Sequence, residues 1–221
     1  MLLCTTGSAH NNLLLVLPFS LSLELFNQCV LVEWASGHIE QMTKSLDEVF
    51  NNANGFEDTL RAAKVKLASL RMTGNRLTDA FAYGFQILEQ LGETFPSTPE
   101  NGIIAQELLA TKQLVTGSLN ESKLRNLPEM TDFTKKEAMT ILEEMLICSY
   151  QSQSIYFPLI ACRMVQITLQ YGLAKTSCLG KIFREYFLLQ HPSYKCAQLI
   201  IFIFLFVSVR MQYCRSLICC S

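Results

Sequence analysis

Charge is what this sequence has least of. Asp, Glu, Lys and Arg make up 17% of its 221 residues, against roughly a quarter in ordinary globular chains. The shortage is uneven: no base precedes Lys44, and Glu185 is the one acid after Glu144. A net charge of −1 excludes a protein built to neutralise nucleic-acid phosphates. A hydrophobic content of 50% excludes intrinsic disorder, which needs the opposite balance. Histidine is also scarce. His10, His38 and His191 lie far apart, none with the i+4 partner that a helical metal pair requires. The nine cysteines include no two CxxC pairs, so a zinc knot is excluded. The phosphate loops GxxxxGK[ST] and GxGxxG and the nucleophile elbow GxSxG are missing too, and with them the common routes to nucleotide and acyl chemistry. Runs of β-branched residues and strict alternation are absent, so no sheet is expected. Residues 13–17 are apolar, but the basic stretch that opens a secretory leader is lacking.

What is present is helical periodicity. Ile39, Met42, Leu46, Val49 and Phe50 recur at steps of three and four, one face of a helix over 38–53. Asn51, Asn52, Asn54 and Gly55 interrupt it. A second helix over 57–72 has Glu57 and Asp58 in its first turn and Lys64, Lys66 and Arg71 later, the order favoured by the helix dipole. Its stripe is Leu60, Ala63, Leu67 and Leu70. A third covers 76–91, a fourth 102–116 with Ile103, Ile104, Leu108, Leu109 and Val115 on its face, a fifth 133–150 and a sixth 155–171. Gly92, Gly117 and Gly172 close three of them. Thr131 or Asp132 is placed to cap the fifth, and Pro158 sits in the first turn of the sixth, where proline is tolerated.

Helices of this length joined by short turns pack as antiparallel neighbours. The fold expected is therefore all-α, with stacked antiparallel helical hairpins in a tetratricopeptide-like α-solenoid. Ala68, Ala80 and Gly84 would let the second and third helices cross closely. Lys135-Lys136, Glu143-Glu144, Asp47-Glu48 and Glu57-Asp58 read as solvated helix faces, with Glu137, Glu143 and Glu144 pointing outwards. Phe81, Tyr83 and Phe85 read as core and groove positions. Cys148 and Cys162 lie on apolar stretches, where a reduced thiol acts as a small hydrophobe; reduced cysteines fit a cytoplasmic setting.

One stretch is more specific. Residues 126–172 read NLPEMTDFTKKEAMTILEEMLICSYQSQSIYFPLIACRMVQITLQYG. Leu127, Pro128, Glu129, Met130, Thr131 and Asp132, then Ala138-Met139, Ile141-Leu142, Phe157-Pro158-Leu159, Met164-Val165 and Tyr171-Gly172 carry a pattern. It resembles the helical region of very large signalling proteins in which a serine/threonine-kinase-like domain and an AAA-type ATPase precede helical repeats. The resemblance spans roughly residues 27–175. Phe133 stands where that family has proline, and its pattern stops near Ser177.

In that family the ATPase and kinase motifs lie outside the helical region. The resemblance thus implies no catalytic, cofactor-binding or metal residue here. It implies a scaffold whose partners are proteins or other domains of a larger signalling chain, of which this would be a fragment or truncated relative.

Three parts are expected: an apolar segment over 1–26, the helical-repeat domain over 27–175, and a divergent apolar tail over 176–221. Within the tail, residues 196–209 have only Gln198 and Ser208 as polar members. This run is shorter than the ~20 residues of a membrane span; it reads as translated non-coding sequence, as a membrane anchor with Lys195 and Arg210 reaching the interfaces, or as a buried helix. Circular dichroism of residues 38–172 is expected to show a helical spectrum; a substantial strand component would overturn the all-α reading.

Overall fold

The computed structural model describes residues 18–73, 76–117 and 127–174. The apolar run 196–209 expected as a possible anchor, the rest of the tail, His10 and His191 lie outside them. Among the described residues there are seven helices: α1 Phe19–Ala35, α2 Ile39–Asn52, α3 Phe56–Met72, α4 Leu77–Gln90, α5 Asn101–Gly117, α6 Phe133–Gln151 and α7 Phe157–Tyr171. The protein is all-α. The only extended pairing among the described residues is a single parallel bridge between Glu129 and Leu173. No helix among them is long and apolar enough to cross a membrane. The chain divides into two compact units between Ala80 and Phe81, so the region 27–175 spans parts of both.

The first unit holds α1, α2 and α3, each packed on the other two. Its core is Val30, Met42, Leu46, Val49, Ala62 and Val65, with Leu23, Phe26, Trp34 and Phe50 packed around them. The α2 stripe is buried at Met42, Leu46 and Val49, but Ile39, at the helix start, is 51% exposed. The α3 stripe is buried at all four expected positions. His38 is the exposed residue preceding α2 and makes no side-chain cap. Asp58 is not simply solvated: its carboxylate accepts the N–H of Asn54 at 3.2 Å and so ties down the α2–α3 connection.

Helix α1 departs from pattern reading, because it buries two polar residues beside its apolar core face and leaves other apolar residues outside. Asn27 and Glu33 are buried at 4% and 7% exposure, while Leu21 and Val32 are 51% and 59% exposed. The buried polar groups are partly satisfied, Asn27 Oδ1 having no hydrogen-bond partner. The Asn27 amide donates to the Leu23 carbonyl at 3.0 Å, and Glu33 accepts from Ser45 Oγ of α2 at 2.8 Å. Glu24, on the exposed side, is paired with Arg61 of α3 and accepts from Gln28. The Gln28 hydrogen bond, with help from Arg61, holds the Glu24 carboxyl below the usual range against the smaller opposing pull of desolvation.

The second unit centres on α6 and α7, which pack together, with α5 along α7. Met130, Met139, Ile141, Leu142, Met145, Ile160 and Met164 are essentially inaccessible to solvent, each contributing about 1.5–3 kcal/mol of hydrophobic stabilisation. The buried hydroxyls of Ser149 and Thr168 donate to Leu146 and Met164 carbonyls in the preceding turn, which lets them lie in an apolar interior without an unmet donor. Cys148 and Cys162 are buried on these two helices and form no disulfide. Two expectations fail here. Glu137, Glu143 and Glu144 are half-buried rather than pointing outwards. On α5, Ile103 and Leu109 are 40% and 56% exposed, while Thr111 is buried.

The close approach that Gly84 permits is to α6. A Cβ at Gly84 would lie 2.0 Å from Met145 Sδ, and Met145 has no free surface into which to retreat. Gly84→Ala is therefore expected to destabilise by about 1–3 kcal/mol, although alanine favours a helix interior over glycine by about 1 kcal/mol. Urea denaturation is the measurement, and Met145→Ala in the same chain should recover part of the loss. A stabilised Gly84→Ala protein would refute the close crossing.

Candidate functional site

The residues of the specific pattern fall at two places. Phe157-Pro158-Leu159 opens α7: Phe157 and Leu159 are buried at 8% and 4% exposure, and Pro158 occupies the first turn. The 127–132 stretch is at the other end, before α6, and meets Tyr171-Gly172 where α7 finishes. Two main-chain hydrogen bonds of 2.8 Å join them, Met130 N–H to the Leu173 carbonyl and Leu173 N–H to the Pro128 carbonyl. Met130 is fully buried and Leu127 half-buried; Pro128, Glu129 and Thr131 are exposed. The cap of α6 is Asp132, whose Oδ1 accepts the Lys135 N–H at 2.9 Å, an arrangement worth about 1 kcal/mol.

Gly172 makes this joint possible. Its φ is +99°, a region that side-chain-bearing residues avoid, and a Cβ there would lie 2.3 Å from the Pro128 carbonyl oxygen. Backbone cannot step aside as a flexible side chain can. Gly92, which ends α4, also has positive φ, +79°, but open space around it. The contrast gives a prediction. Gly92→Ala should cost about 1 kcal/mol from backbone strain alone, and Gly172→Ala about 3 kcal/mol or more because steric overlap is added. Thermal melts of the two variants compare them directly; equal losses would refute the role given to the bridge.

Beside this joint lies a charge cluster that sequence reading did not anticipate. Glu93 follows Gly92 at the end of α4. Its N–H closes the helix by donating to the Leu88 carbonyl at 2.8 Å, the Schellman arrangement that glycine permits. Its side chain, 5% exposed, accepts from Lys135 Nζ of α6 at 2.7 Å and from Arg163 Nη1 of α7 at 2.9 Å. Each cation lies against an aromatic ring, Lys135 5.4 Å from the Tyr171 centroid and Arg163 5.5 Å from that of Phe95, within cation–π range. Lys135 is thus not part of a solvated face.

Next to Phe95, Phe81, Phe85 and Tyr156 form an aromatic group with centroid separations of 4.8–6.3 Å. The Tyr156 hydroxyl donates to the carbonyls of Pro96 and Ser97 at 3.0 and 2.6 Å, and desolvation raises its pKa. Burial also pushes the Tyr83 hydroxyl up to about 12. Gln166 of α7 donates to Glu107 and Thr111 of α5, both at 2.8 Å.

These contacts tie the end of α4 to α6 and α7. The Glu93 carboxylate is engaged by two cations, and the phenol of Tyr156 by main-chain carbonyls. No group of three or more His, Cys, Asp or Glu among the described residues could hold a metal ion. No family model, curated protein or solved structure matches the chain.

The only sequence cues to the cluster were a lone arginine within the apolar run FPLIACRMVQI and a glutamate directly after a helix-ending glycine. Removing one partner of a buried ion pair strands the others. Glu93→Ala should therefore cost about 3 kcal/mol, more than Lys135→Ala or Arg163→Ala, since Glu93 serves both cations and is the most buried. Chemical denaturation of the three variants tests the ranking; a Glu93 variant as stable as the parent would refute it.

Proposed function

We propose that the chain is a non-catalytic helical scaffold, an interaction segment of a larger signalling protein of the ATPase and kinase class that residues 126–172 resemble. The observation that carries this reading is the use to which the chain puts its most specific residues. Met130, Phe157 and Leu159 fill the core, Asp132 caps a helix, and Gly172 permits a main-chain joint. The polar groups beside them, Glu93, Lys135, Arg163 and Tyr156, are engaged with one another or with backbone carbonyls. Such a unit offers helical surfaces to protein partners or to neighbouring domains of the same protein. A reducing, cytoplasmic setting goes with this reading, since Cys148 and Cys162 are buried without forming a disulfide. Attachment to a membrane through residues 196–209 is the competing proposal, supported by the apolar composition of that run.

Two measurements test the proposal. The purified chain is expected to hydrolyse no ATP, and turnover that copurifies with it through successive columns would overturn the non-catalytic reading. The transcript on either side of this coding region is expected to encode ATPase or kinase segments in frame; unrelated sequence on both sides would overturn the parentage. Cell fractionation of the full chain distinguishes the alternative, since release from membranes by detergent alone would favour the anchor.

A further inference from the structure

We draw no further inference here: the strongest candidate, the outward-facing apolar residues Leu21, Leu31 and Val32 of α1, is an unpartnered helix face, and nothing in the structure shows what covers it.

Discussion

The two hydrogen bonds between the Pro128–Met130 corner and Leu173 are the constraint around which the second unit is arranged. They bring the entry of α6 and the exit of α7 to one point, although Phe133 and Tyr171 are 38 residues apart in the chain. Once they meet there, α6 and α7 must lie side by side, and their apolar faces close into the core of Met139, Leu142, Met145, Ile160 and Met164. The joint in turn depends on one missing atom. Only a residue without Cβ can take the backbone of Gly172 through a φ of +99° and still leave room for the Pro128 carbonyl.

The Glu93 cluster extends the same joint to α4. Lys135, held on the first turn of α6, and Tyr171, at the last of α7, flank the bridge, and Glu93 draws Lys135 and Arg163 towards the end of α4. The desolvation of three charges is offset by short, well-directed hydrogen bonds and by the two aromatic rings. An apolar substitute could be as stable. The ionic version is more particular, because a carboxylate satisfied by two cations from two helices fits one relative placement of those helices. The aromatic group of Phe81, Phe85, Phe95 and Tyr156 secures the same α4 exit by a non-directional force, with Tyr156 adding two directed bonds to the backbone.

The first unit solves its packing differently. Helix α1 buries an amide and a carboxylate while Leu21 and Val32 face outwards. The Asn27 amide N–H and the Glu33 carboxylate each find a partner close by, one in the preceding turn and one on α2, while Asn27 Oδ1 has none and carries a desolvation cost. The ion pair of Glu24 with Arg61 lies in solvent and adds little to stability.

Six helices were legible from residue order alone, and their observed ends depart from the expected ones by no more than two residues. The signals that mark a helix act within about one turn: the three-to-four-residue recurrence of apolar side chains, a capping aspartate, a proline in the first turn, a glycine just past the end. Helix α1 escaped because apolar residues occur around its whole circumference and two of its polar residues, Asn27 and Glu33, are buried, which blurs the stripe that would be read. The exposure of Ile103 and Leu109, the half-burial of Glu137, Glu143 and Glu144, and the meeting of Glu93 with Lys135 and Arg163 were decided only by tertiary structure. Those ion pairs join residues 42 and 70 positions apart. Which side chains meet across such separations depends on which helix faces come together, and that follows from packing and from the backbone joint at Gly172, not from any local pattern.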